Sequence, residues 1–126
     1  MRPGRAWAAA AGALLLALPA RAQVIDIAWA ADGTFEQNVS VAPGRFAEFC
    51  GALNPGQSVE WGFKASRGLN FNIHFHEGQE VRTPARADGR REAQGTLAVD
   101  SAHEYCWMWS NKSAAVARLR VHLRKQ

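Results

Sequence analysis

The chain has 126 residues, 48% hydrophobic and 21% charged, with a formal net charge of +4 and two cysteines. That length suits one domain with a modest core, not several. Its basic excess is concentrated at the start: Arg2, Arg5 and Arg21 lie in the first 22 residues with no acid, so the remainder carries 15 − 3 = 12 bases against 11 acids. That near balance argues against a nucleic-acid-binding protein, which needs a concentrated basic surface.

The opening "MRPGRAWAAAAGALLLALPARAQ" combines arginines, an uncharged run from Ala6 to Leu18 and the small-residue pattern Ala20-Arg21-Ala22. This is the pattern of a cleavable export signal, with Gln23 as the first mature residue and residues 23–126 as a single domain. The apolar run is short for a bilayer span, and no second one follows. The expected location is the periplasm or the exterior.

From residue 23 onward the hydrophobic period is two almost throughout. The segments 24–30, 35–41 and 45–53 read as strands, with "APG" as the turn between the last two. "NPG" precedes 58–65, "SRG" precedes 69–76, "EG" leads into 80–86, and "ADGR" has the composition of an Asp-Gly hairpin turn. Strands over 92–100, 104–111 and 114–123 complete the chain. Short alternating segments with turn signals every eight to twelve residues predict an all-β, antiparallel β-sandwich of about eight strands.

Cys50 and Cys106 are the only cysteines. In an oxidising compartment they form a disulfide most simply, closing a loop of roughly 55 residues and contributing on the order of 4 kcal/mol in the chain-entropy view. The alternative, a thiolate copper or zinc site, requires reducing surroundings or a metal that protects the thiols.

In "LNFNIHFH", Leu69, Phe71, Ile73 and Phe75 share one face, and Asn70, Asn72, His74 and His76 share the other. Two imidazoles spaced i, i+2 on a strand can converge on one ion, and imidazole suits copper. Further ligands could come from His103, Glu77, Glu104, Met108 or His122. The candidate metal set is His74, His76, His103 and Met108, with copper as the possible ion. The bland reading is a polar strand face.

"HEYCWMWSN" separates Tyr105, Trp107 and Trp109 from Glu104, Cys106 and Met108. Bridging to Cys50 is taken to turn the Cys106 face toward the opposing sheet, which puts Met108 in the core as well. The three rings then form an exposed partner or ligand surface. A bulge that turns the rings inward is the alternative. In "ARLRVHLRKQ", Arg118, Arg120, His122 and Arg124 alternate with apolar residues, as expected of a solvated strand face. Ser101 beside His103 lacks an acid to orient the imidazole, and phosphate-loop and zinc-protease motifs are absent, so catalysis is not expected.

Taken together, "FAEFCGALNPGQSVEWGFKA", "LNFNIHFHEGQEV" and "YCWMWSNKSAAVARLRVHL" resemble the GOLD domain, a β-sandwich of secretory-pathway cargo receptors and some lipid-transfer proteins. The resemblance covers roughly 45–123. It implies a disulfide between Cys50 and Cys106, places Asn111 at a strand end, and implies a non-catalytic interaction module. These residues contain no coiled-coil pattern and no second apolar span, so cargo-receptor function is not carried over. The composition suggests a bacterial, stand-alone version. Two functions are therefore expected to compete: an exported module that binds a protein or small ligand through the aromatic strand, and a periplasmic copper-binding protein using His74 and His76.

Overall fold

The computed structural model describes residues 23–126 and Gly4, so the expected export signal lies outside the described residues apart from that glycine. Seven strands form: β1 (Gln23–Asp26), β2 (Thr34–Val41), β3 (Phe46–Leu53), β4 (Ser58–Glu77), β5 (Glu80–Ala98), β6 (His103–Ser110) and β7 (Ala117–Lys125). Their order across the curled sheet is β1-β3-β6-β4-β7-β2, with β5 running beside β4. No helix among the described residues is long and apolar enough to cross a membrane.

Strand β4 makes the fold. Its first part, Val59 to Ala65, pairs with β7, and its later part, Asn70 to His74, pairs with β6. One 20-residue strand thus belongs to two layers. The first layer is β1-β3-β6 with the end of β4, and the second is β2-β7 with its start. The β4–β5 ladder shifts register between Lys64 and Leu69 and again before Phe71, which is where a bulge can turn a strand between sheets. Gly68 backs onto Gly89 at this corner. A Cβ on Gly68 would lie 3.0 Å from the Gly89 carbonyl oxygen, and Gly89 itself has φ +63°.

Two sequence expectations are corrected here. "SRG" and "ADGR" do not end strands; they bend continuous ones, so nine anticipated segments become seven. The Asp-Gly step at 88–89 still supplies the positive φ, but as a bulge rather than a hairpin. The "APG", "NPG" and "EG" turns do form, with Gly44, Gly56 and Gly78 at positive φ. Strand β1 is shorter than anticipated and lies parallel to β3, so the sheet is mixed and not wholly antiparallel.

The core lies between the layers. Phe49, Phe71, Ile73, Trp107 and Trp109 fill it from the first layer, and Val59, Phe63, Leu119, Val121 and Leu123 from the second. The Trp109 ring centre lies 5.0 Å from Phe71, 5.5 Å from Phe63 and 5.8 Å from Phe49. At the end of β6, buried Asn111 satisfies four bonds. Its Nδ2 donates to the carbonyls of Val41 and Ala115, and its Oδ1 accepts from the Ser113 amide and hydroxyl. Asn111 thereby ties the start of β7 to the end of β2.

Candidate functional site

The disulfide decides which face of the first layer looks outward. Cys50 and Cys106 are register partners in the β3–β6 ladder, with Cα atoms 4.1 Å apart. The bond is lateral, joining neighbours within one layer, and does not cross the core. Trp107 and Trp109 are 0% exposed and Tyr105 is 2% exposed. The expected aromatic partner surface is therefore core, and the inference that Cys106 and Met108 must face the opposite layer is reversed. Tyr105 uses its hydroxyl inside the fold, donating to the Ser101 carbonyl at 2.8 Å.

The outer face of the first layer is built of aligned rows. One row runs Asp26, Cys50, Cys106, His74, and the next runs Val24, Glu48, Met108, Asn72, Arg86. Alternation along β3, β6 and β4 places Glu48, Met108, Asn72 and His74 on the same side. The Glu48 carboxylate reaches diagonally past Met108, so that Oε1 lies 3.1 Å from His74 Nε2. On its other side His74 Nδ1 lies 2.7 Å from Asn72 Oδ1. His74 is buried, whereas His76, two residues along the same face, is exposed with its ring centre 5.5 Å from that of His74. An open recess beside these rings is lined by Asn72, His74, His76, Met108, Thr83 and Arg86.

Three of the four anticipated metal ligands, His74, His76 and Met108, thus share one recess. His103 does not join them. It sits on the inner parity of β6, stacks on Phe75 with ring centres 4.6 Å apart, and faces Glu77 with Nε2 3.5 Å from the carboxylate. His122 belongs to the second layer, 3.3 Å from Glu36. Glu48 was missed in the sequence, although a signal for it existed. Once Cys50 and Cys106 are taken as directly opposite partners, antiparallel counting puts Glu48 across from Met108.

Comparison with known proteins reaches only the architecture. No protein-family model matches the chain, and no curated protein sequence matches it. Among solved structures, a periplasmic inhibitor of g-type lysozyme from Aeromonas hydrophila superposes with a TM-score of 0.67 at 16% identity, covering 84% of this chain and 98% of that one. What this likeness shows is the fold. The Salmonella Typhimurium inhibitor of g-type lysozyme gives a TM-score of 0.56 at 9% identity, covering 82% and 99%. The pre-peptidase C-terminal domain of a Bacillus anthracis collagenase gives 0.59 at 9%, covering 85% and 98%. The β-sandwich implied by the GOLD resemblance is present; membership of the GOLD family is not what these likenesses show.

Proposed function

We propose that this chain is an exported, non-catalytic module of the periplasm that binds a protein partner. The observation that carries the proposal is its superposition on a periplasmic inhibitor of g-type lysozyme over 84% of this chain and 98% of that one. The lateral disulfide supports it, since such bonds persist in oxidising compartments. The histidine that could have suggested catalysis is occupied structurally: His103 lies against Phe75 and Glu77.

With the aromatic strand in the core, the docking surface is assigned to the exposed first half of β5 and the adjoining recess, where Val81 is 55% exposed beside Thr83, Arg86 and His76. An exposed aliphatic side chain bordered by arginine and polar groups suits a protein interface. The inhibitors of this fold make a g-type lysozyme the first partner to try. The test titrates the purified protein against that enzyme, following cell-wall lysis and heat of binding. The proposal expects lysis to fall in proportion to a 1:1 complex, and Val81→Asp and Arg86→Ala to weaken that complex. Full lysis with no heat of binding at micromolar concentrations rejects this partner.

A further inference from the structure

The geometry points to a copper site on the outer face of the first layer, formed by His74 Nε2, the Glu48 carboxylate, His76 and the Met108 thioether. His74 makes two polar contacts, one from each ring nitrogen. Asn72 Oδ1, 2.7 Å from Nδ1, accepts the proton that nitrogen carries. That leaves Nε2 facing a carboxylate oxygen at 3.1 Å. Two lone-pair bearers directed at each other need a cation between them, either a proton or a metal ion. Two ligands bound at about 2.0–2.1 Å to one ion lie roughly 2.9 Å apart at the right angles of tetragonal copper and roughly 3.3 Å apart at tetrahedral ones, and the spacing found falls between.

The neighbours favour the metal. A ligating histidine characteristically donates its other ring N–H to a fixed acceptor, which orients the ring, and Asn72 supplies that acceptor. Two imidazoles sharing an ion have ring centres roughly 4.5–5.2 Å apart, given bonds of that length; His74 and His76 stand at 5.5 Å with ring planes 83° apart, so His76 must turn its ring to join the ion. Met108 lies between Asn72 and Glu48 in the ladders and lines the same recess. The Cys106 sulfur is within 4.8 Å of both the Glu48 and His74 ligand atoms, but its bond to Cys50 withdraws it as a thiolate. What remains is two imidazoles, one carboxylate and one thioether. That mixture suits copper, which also tops the divalent affinity order. Exposed His76 is the entry side and buried His74 the anchor.

The copper site shares His76 and its recess with the proposed docking surface, but copper binding is measured on the protein alone, so its failure and that of the protein-binding reading are distinguishable. The test titrates the disulfide-intact protein with Cu(II), reading stoichiometry by calorimetry, nitrogen ligation by electron paramagnetic resonance, and quenching of tryptophan fluorescence. One equivalent with a two-imidazole signature is expected. His76→Ala at an exposed side chain and Glu48→Gln, an isosteric change at a largely buried one, should each weaken binding at least tenfold, and His74→Ala should abolish the two-nitrogen signal. His103→Ala and His122→Ala should leave it unchanged. Substoichiometric binding, or binding indifferent to both His76→Ala and Glu48→Gln, overturns the site as adventitious.

Discussion

Cys50 and Cys106 stand directly opposite each other on adjacent strands, with their Cα atoms 4.1 Å apart. The bond closes a sequence separation of 56 residues yet fastens strands that the ladder already aligns. Its contribution is therefore mainly to restrict the unfolded chain. A Cys50→Ala/Cys106→Ala variant is expected to keep the fold while losing about 2–4 kcal/mol of unfolding free energy. Urea unfolding followed by tryptophan fluorescence checks this; collapse of the native spectrum in the absence of denaturant would contradict it.

Trp109 packs against Phe49, Phe63 and Phe71 at the centre of the core. Truncation by Trp109→Ala should cost about 3–5 kcal/mol, because so large a hole between two layers cannot collapse fully. The indole Nε1 has no hydrogen-bond partner within the protein, so Trp109→Phe removes an unsatisfied donor along with ring volume. The expected order is a clearly smaller loss for phenylalanine than for alanine, read from denaturation midpoints.

Asn111 is the polar exception in the core, 0% exposed and bonded in four directions. Asn111→Ala leaves the carbonyls of Val41 and Ala115 without their donor and should destabilise by about 2–4 kcal/mol. Asn111→Asp should be worse at neutral pH, since it turns a carboxylate oxygen toward those two carbonyls. Thermal unfolding of the three proteins in one buffer ranks them, and an aspartate variant as stable as wild type would contradict this account.

The turn before β2 carries a small pH-dependent contribution. The Thr34 hydroxyl donates to Asp32 Oδ1 at 2.7 Å and the Thr34 amide at 3.0 Å, and these bonds, the hydroxyl first, hold the carboxyl below its ordinary value. A carboxyl lowered in the folded state stabilises above its unfolded value and loses that contribution as the pH falls through the lowered one. Asp32→Asn should therefore lower the neutral plateau slightly and flatten the decline that begins below about pH 4, near the ordinary carboxylate value, so that the two proteins converge in acid. The effect is modest because the group is fully exposed.

How far the sequence could be read varied from strand to strand. In β7 the alternation of Leu119, Val121 and Leu123 with Arg118, Arg120 and His122 gave both strand and orientation, because charge leaves one side only for the core. In β6 both alternating sets are apolar enough to be buried, so period two separated Trp107 and Trp109 from Cys106 and Met108 without saying which set faced inward. The corner at Gly68 and Gly89 was invisible as a bend, since glycine-rich turns and bulges use the same residues. For the candidate copper site, His74, His76 and Met108 were legible as ligand types, whereas Glu48 depended on strand register.

Local chemistry alone was enough to establish an all-β chain, to pair its two cysteines and to sort each strand's side chains into two sets, because these follow from backbone pleat and composition. Only the long-range pairing decided which set was hidden and which ligands met. By passing from β7 to β6, β4 closes the second layer over the tryptophans and leaves His74 and Met108 on the solvent side beside Glu48. Burial of that kind is a property of what covers a face, and that is set by strands far apart in the chain.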